Sequence, residues 1–163
     1  MNLPNRKTIR LPEYDYDSPG YYFITICTQD KLKLLCNIVV SDLITGAEIQ
    51  MLPYGRIAEE YLTNMQQFYG DIYIDKYVIM PNHIHMLLCI PYEVVPDKPT
   101  IKKDKISRFI GTFKRLFQRD CGNNIWQYRS YDHVIRNEQD YRKIWNYIDC
   151  NPGKWTEDRL YVE

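Results

Sequence analysis

Two apolar runs separated by only two residues constrain the fold of this chain more than any other feature. Residues 72–80 (IYIDKYVIM) and 83–90 (HIHMLLCI) are rich in β-branched and aromatic side chains, and Pro81-Asn82 lies between them. Runs of this length and composition are typical of β-strands, and Pro and Asn favour a tight connection. The sequence therefore predicts two consecutive strands joined by a short turn.

Strand-like and helix-like segments alternate along the chain on either side of these runs. Residues 21–28 (YYFITICT) and 125–135 predict two further strands, while apolar residues at helical spacing predict a helix from 56 to 69 and another over 106–119. The order is βαββαβ, which indicates an α+β, ferredoxin-like fold: an antiparallel sheet with two helices on one face. Residues 32–51 stay ambiguous, with Thr45-Gly46 favouring a turn between short strands.

A last helix is predicted beyond this unit. Asn137 has the residue type of an N-cap, with Asp140 three residues on, and four apolar residues repeat at helical spacing after it: Tyr141, Ile144, Trp145 and Ile148. Pro152 is expected to end the helix, because the residue before a proline is biased away from helical backbone. The sequence thus predicts an extra C-terminal helix that carries Tyr147.

Length and composition favour one intracellular domain. The 163 residues, 45% of them hydrophobic, fit a single domain over 1–163, with residues 1–20 as a polar N-terminal arm. The five cysteines include no CxxC pair, which favours reduced thiols. No apolar run has the length of a membrane span and no signal-peptide pattern begins the chain. We therefore expect a cytoplasmic protein with no membrane partner.

The charge is balanced overall but uneven along the chain. Lys+Arg and Asp+Glu number 21 each, so any contact with nucleic acid must use a local patch. On the helix over 106–119 and its first flanking residue, four basic side chains fall within roughly 80° of arc: Lys105, Arg108, Arg115 and Arg119. A second basic group, Arg6, Lys7 and Arg10, lies in the arm. Both groups are candidate contacts to a DNA backbone, and a solvated helix face is the alternative interpretation of the first.

His83 and His85 form the first candidate site. Side chains alternate faces along a strand, so these imidazoles point the same way, with Cβ atoms about 7 Å apart. Two imidazoles on one face can bind a divalent cation, although two polar residues on a solvent face would give the same pattern. A triad of alternating histidines, as in nucleotide hydrolases, is excluded because Leu87 stands at the third position.

Tyr147 and Asn151 form the second candidate site. They lie four residues apart on the predicted last helix, so they share a face and are separated by about 6 Å along the axis. A side-chain carbonyl at a helix end can supply an oxygen ligand to a hard cation. The alternative is that Tyr147 is a half-buried packing residue beside the apolar stripe.

Three segments together resemble the HUH single-tyrosine transposases, and most closely the REP-associated branch of that family. They are RKTIRLPEYDYDSPGYYFITICTQD (6–30), YVIMPNHIHMLL (77–88) and DHVIRNEQDYRKIWNYIDCNP (132–152), in the family's order along nearly the whole chain. The resemblance implies that His83, His85 and Asn151 ligate Mg²⁺ or Mn²⁺ and that Tyr147 is the nucleophile. Asn151 stands where the insertion-sequence enzymes usually have Gln, which is longer by one methylene.

The resemblance also implies a reaction and a substrate. Tyr147 would attack a phosphodiester of single-stranded or hairpin DNA and form a 5′-phosphotyrosine that a second 3′-hydroxyl then resolves. Two alternatives remain: a domesticated module that binds DNA or RNA without chemistry, and a metal-dependent phosphodiesterase that uses water and leaves Tyr147 idle. A homodimer is possible, because relatives exist in which one subunit's tyrosine serves the other's histidines. His133 is a candidate base for Tyr147, with a structural role as the alternative.

Overall fold

The computed structural model describes residues 11, 14–40, 46–92 and 104–163. The elements within these ranges are β1 (Gly20–Cys27), β2 (Cys36–Val40), β3 (Ala47–Met51), α1 (Pro53–Phe68), β4 (Tyr73–Met80), β5 (His83–Ile90), α2 (Lys105–Cys121), β6 (Tyr131–Ile135) and α3 (Glu138–Cys150). Of the predicted arm, Arg6, Lys7 and Arg10 lie outside the described residues. None of the helices in the described ranges has the length and apolar character needed to cross a bilayer.

One antiparallel sheet organises the molecule. Its strands lie in the order β4-β5-β1-β6, so β5 and β1 are central, and β5 has the predicted bounds. The α+β architecture with a four-stranded antiparallel sheet is thereby confirmed. β2 and β3 form a separate hairpin, with Cys36 opposite Met51, in the region that the sequence left ambiguous.

The two faces of the sheet bury different elements. On one face, Ile24, Ile84 and Met86 pack with Phe109 and Phe113 of α2 in the larger core, which also includes α1. Burying an aliphatic or aromatic side chain of this size stabilises the fold by about 1.5–3 kcal/mol. Because strand residues alternate faces, the neighbours of these residues on β1 and β5 point to the opposite side.

α3 covers that opposite side. Phe23 and Leu87 pack there with Ile148 of α3 and with Trp155, which belongs to a short 3-10 helix, Pro152–Glu157. The Asn137 side chain accepts a hydrogen bond from the Asp140 N–H at 2.8 Å, which confirms the predicted N-cap. Helix α3 ends at Cys150, immediately before Asn151 and Pro152. The helix with the tyrosine thus lies on the histidine-bearing face of the sheet.

The prediction of a continuous strand over residues 125–135 was wrong in its first half. Only Tyr131–Ile135 joins the sheet as β6, while Trp126 makes a single bridge to Thr28. The Trp126 side chain is fully buried against Phe113 and Phe117, so core packing and the two backbone hydrogen bonds of this bridge hold this part of the chain, without a longer strand ladder. The apolar residues were recognised correctly, but their burial does not require extended pairing.

Gly55 allows the first turn of α1 to approach the segment before β2. A Cβ at this position would lie 2.0 Å from the carbonyl oxygen of Leu35. The same carbonyl accepts a hydrogen bond from the N–H of Leu52 at 2.9 Å. A side chain here would force backbone apart, so glycine is a requirement of this contact.

Candidate active site

The two histidines of β5 lie side by side beneath α3. Both side chains are fully buried, and their Nε2 atoms are 3.0 Å apart. Because β5 is paired on both edges, the backbone holds the two rings at a fixed spacing. The predicted placement of His83 and His85 on one face is what brings these nitrogen atoms together.

A hydrogen bond on the far side of each ring orients both imidazoles. His83 Nδ1 lies 2.7 Å from Asn82 Oδ1, and His85 Nδ1 lies 2.8 Å from Thr25 Oγ1. The Asn82 amide is itself fixed, because its Nδ2 donates to the carbonyl oxygens of Lys31 and Leu160. An amide oxygen accepts only, so His83 Nδ1 carries the hydrogen and His83 Nε2 presents a lone pair.

Thr25 gives His85 more freedom than Asn82 gives His83. A hydroxyl donates or accepts, so His85 adopts either neutral tautomer without losing this bond. His85 Nε2–H donates to His83 Nε2 in one tautomer, and both Nε2 lone pairs are available to an ion in the other. Metal-binding histidines usually donate their second ring N–H to such a partner.

Tyr147 reaches the histidines from α3. Its hydroxyl lies 3.3 Å from His85 Nε2, and its side chain is 36% exposed, so the oxygen is close to the imidazoles while the residue borders solvent. The Phe23 ring packs against both His85 and Tyr147, with centroid distances of 5.0 and 6.0 Å. Tyr147, from the second predicted pair, therefore lies at the same site as His83 and His85.

Asp158 completes the group and was not predicted from the sequence. Its Oδ2 accepts hydrogen bonds from the Tyr147 hydroxyl at 3.0 Å and from Asn151 Nδ2 at 2.9 Å, and lies 4.0 Å from His85 Nε2. Its Oδ1 accepts from the N–H of Leu160 at 2.6 Å, and the side chain is 1% exposed. Asp158 follows the 3-10 helix after α3, which turns the chain back to the site.

The donor set fits a divalent cation. His83, His85 and Asp158 each offer one ligand atom, and these atoms lie within 4.8 Å of one another. Asn151 adds a fourth donor: its Oδ1 is buried and has no hydrogen-bond partner among the described residues, while its Nδ2 is bound to Asp158. Two imidazoles with carboxylate and amide oxygens suit a hard or borderline cation such as Mg²⁺ or Mn²⁺.

The protonation states of the histidines agree with that role. Burial, followed by the charge of His85, lowers the pKa of His83 well below its ordinary value. Burial also lowers the pKa of His85, although Asp158 opposes the shift. Both imidazoles are therefore neutral at pH 7, the form that binds metal ions.

Asp158 and Tyr147 shift each other's ionisation. Burial raises the pKa of Asp158, but the nearby imidazole of His85 and hydrogen bonds from the Leu160 N–H and Asn151 outweigh that effect and leave the pKa below its ordinary value. Burial and the charge of Asp158 raise the pKa of Tyr147 to about 12. At neutral pH the site thus contains a carboxylate that accepts a hydrogen bond from a protonated phenol.

The basic residues predicted on α2 lie on the other face of the sheet from this site. Arg108 forms an ion pair with Asp71 at 2.7 Å, and Lys105 is buried with its Nζ 3.9 Å from the same carboxylate. Arg119 pairs with Asp120 at 2.8 Å, whereas the exposed Arg115 has no carboxylate partner within the described ranges.

His133 lies beside a different partner. Its Nε2 is 2.8 Å from Asp140 Oδ2, which links β6 to the first turn of α3. This bond favours the structural role that the sequence left as one of two interpretations.

The known proteins that this chain is similar to include two described as REP-associated tyrosine transposases. No protein-family profile matches the chain. It is 32% identical to an uncharacterised protein of Haemophilus influenzae over 99% of this chain and 96% of the relative. It is 35% identical to a REP-associated tyrosine transposase of Escherichia coli K12, over 50% of this chain and 44% of that protein. A putative REP-associated tyrosine transposase of H. influenzae is 26% identical, over 86% and 74%.

One solved structure extends the similarity to three dimensions. A REP-associated tyrosine transposase bound to a REP hairpin superimposes with a TM-score of 0.59 at 25% identity, covering 90% of this chain and 73% of that one.

Proposed function

The chain belongs to the family of REP-associated tyrosine transposases, and on that premise we propose that it cleaves and rejoins single-stranded DNA at hairpin elements. The reaction proceeds through a covalent 5′-phosphotyrosine on Tyr147 and depends on a divalent cation. The solved relative holds a REP hairpin, which supports a hairpin as the substrate here. The strand order also supports the ferredoxin-like architecture that the sequence predicts.

Four side chains hold the cation in this proposal. His83 and His85 supply Nε2 atoms, Asp158 supplies a carboxylate oxygen, and Asn151 supplies the buried Oδ1 that lacks another partner. When bound, Mg²⁺ or Mn²⁺ would polarise the scissile phosphate and offset negative charge in the transition state.

Tyr147 is the nucleophile that attacks phosphorus in this proposal. Its oxygen attacks in line, a P–O bond to the phenol forms, and the bond to the departing 3′-oxygen breaks. The phenolic proton passes to the solvent that borders Tyr147, and the departing oxygen takes up a proton from that solvent to become a free 3′-hydroxyl. Attack by a second 3′-hydroxyl on the phosphotyrosine reverses these steps, so the phosphodiester bond is conserved without ATP.

One observation carries the proposal: the Tyr147 hydroxyl and the two histidine Nε2 atoms converge within one chain. The distances are 3.3 Å from the hydroxyl to His85 and 3.0 Å between the imidazoles. A nucleophile must lie next to the group that activates its target, and packing alone does not require a phenol to point at a neutral imidazole that is paired with a second one. A homodimer, which the resemblance allows, is not needed to assemble this set.

The test is cleavage of hairpin DNA from the flanks of the protein's own gene, labelled at either end and analysed on a denaturing gel. With Mn²⁺ we expect the 3′-labelled strand to move with the protein and the 5′-labelled strand to shorten. Tyr147→Phe should abolish the adduct, while Tyr128→Phe, which removes the hydroxyl of a 96% exposed tyrosine, should not.

Each alternative function predicts a different set of products on the denaturing gel. Cleavage without an adduct would mean that water is the nucleophile, as in a phosphodiesterase. Binding without cleavage, unchanged by EDTA, would indicate a module that binds DNA without chemistry. Either result contradicts the assignment of Tyr147.

A further inference from the structure

A cleft opens directly onto the nucleophile. Its cavity volume is about 410 Å³, and Tyr147, Asn151 and Asp158 belong to its lining. The other lining residues are Lys143, Asn146, Cys150, Lys154 and Glu157. The cleft therefore joins the buried site to the surface of α3 and of the 3-10 helix behind it.

Two lysines flank Tyr147 along this cleft. Lys143 precedes Tyr147 by four residues on α3, so both lie on one face of the helix, about 6 Å apart along the axis. Lys154 lies beyond the other end of α3, in the 3-10 helix that follows Asn151. The nucleophile thus has a cation before it and a cation after it along the same groove.

No protein carboxylate neutralises either lysine among the described residues, so both charges are available to bind phosphate. Within the part of the chain that the structure describes, neither Lys143 nor Lys154 forms an ion pair, and Glu157 is the only acid in the lining besides the buried Asp158. On α2, by contrast, carboxylates of the protein already bind Arg108 and Arg119, and of the exposed basic residues predicted there only Arg115 lacks a carboxylate partner among the described residues. A cation that is paired within the protein contributes less to phosphate binding, because the protein carboxylate competes with the phosphate for it.

We propose that this cleft, and not the basic face of α2, binds the single strand next to the cleaved phosphate, with Lys143 and Lys154 contacting backbone phosphates on either side of Tyr147. The inference rests on the proposed function and adds the path of the strand. Phosphate contacts of this kind set register without reading sequence, so they place the scissile bond at Tyr147 whatever the hairpin sequence is.

The first test measures affinity in protein that cannot react. The affinity of the Tyr147→Phe protein is measured at several salt concentrations for two labelled hairpins, one with a single-stranded tail and one without it. Adding Lys143→Gln and Lys154→Gln should weaken binding of the tailed hairpin roughly tenfold and reduce the salt slope by about 1.4, for two lost contacts to a single strand. Binding of the hairpin without a tail should change much less.

A matched control removes two positive charges elsewhere. Arg56→Gln with Arg142→Gln alters one exposed residue of α1 and one residue of α3 that pairs with Glu138 outside the cleft. This variant should bind the tailed hairpin within about twofold of the Tyr147→Phe protein. Arg115→Gln with Arg119→Gln tests the competing surface, and a loss there with none at the cleft lysines would overturn the proposal.

A second test needs no change in charge. Cys150 is exposed and lines the cleft, whereas Cys121 ends α2 on the other face of the sheet. Tailed hairpin DNA should slow alkylation of Cys150 at least fivefold and leave Cys121 unaffected.

The two tests separate failure of the inference from failure of the proposed function. A protein that binds no hairpin DNA contradicts the proposed function. A protein that binds the tailed hairpin while Cys150 stays fully reactive contradicts only the path through the cleft.

Discussion

The hydroxyl of Tyr147 lies 3.3 Å from Nε2 of His85, although 62 positions separate the two residues in the chain. The strand β5 fixes one atom, the helix α3 fixes the other, and Phe23 packs against both rings. The distance therefore depends on how α3 sits on the sheet. Changes that disturb the site should therefore act through metal binding and through the elements that hold these two residues.

Replacing Asp158 by Asn should weaken metal binding and leave the fold intact. The substitution keeps the shape of the side chain but removes the negative charge and one of the proposed ligands. Mn²⁺ affinity, measured by isothermal titration calorimetry, should fall about 10- to 100-fold. Glu157→Gln removes a neighbouring charge that lies in the cleft outside the proposed ligand set, and unchanged Mn²⁺ affinity is expected there. Equal losses in both variants would mean that general electrostatics, not ligation, is responsible.

Replacing Thr25 by Val should loosen His85 without touching a ligand. Valine suits a central strand, but it removes the oxygen that lies 2.8 Å from His85 Nδ1. Mn²⁺ affinity should fall about tenfold, since the imidazole loses the hydrogen-bond partner that orients its ring. An affinity equal to that of the wild type would show that the packing of Phe23 orients the ring by itself.

Acid should destabilise the metal-free protein through the two histidines. Their pKa values are lowered in the folded state, so the unfolded chain binds more protons as pH falls through about 6.5. The stability they contribute is complete above that pH and is lost below it. Thermal unfolding in EDTA at pH 7 and pH 5 should show a drop in Tm that is smaller in the double variant His83→Gln/His85→Gln. An identical drop in both proteins would contradict the assignment of neutral, buried imidazoles.

Two glycines should respond in opposite directions to alanine. Gly55→Ala places a Cβ 2.0 Å from the Leu35 carbonyl oxygen, which should lower the free energy of unfolding by about 1–3 kcal/mol or more. Gly111 lies inside α2 with open space around its Cβ position, so Gly111→Ala should raise that free energy by about 0.5–1 kcal/mol. Chemical denaturation measures both values, and a neutral Gly55→Ala would contradict the close approach of α1 to Leu35.

The sequence predicted the parts of the site that follow from local periodicity. Alternation along a strand places His83 and His85 on one face of β5. A spacing of four residues places Tyr147 and Asn151 on one face of the last helix. The link between the two pairs came from the resemblance to a family, because no periodicity relates a strand to a helix sixty residues later. The sheet and the three helices were predicted for the same local reasons.

The sequence did not predict the carboxylates that contact these residues from distant segments of the chain. Asp158 follows a 3-10 helix whose turn has no simple period, so nothing in its spacing connects it to Asn151 or His85. A helical wheel showed the cations of α2 but not Asp71, which comes from the segment before β4. Lys143 did carry a usable signal, since it lies four residues before Tyr147 on the same helical face.

The most direct test of the central claim is mass spectrometry of the protein–DNA adduct. Trypsin should release residues 144–154 (IWNYIDCNPGK), which contain a single tyrosine, Tyr147. After incubation with Mn²⁺ and hairpin DNA, followed by nuclease digestion, this peptide should carry a nucleotide joined through its 5′-phosphate to the phenol. A nucleotide on any other peptide, or DNA cleaved with no modified peptide at all, would contradict the assignment of Tyr147 as the nucleophile.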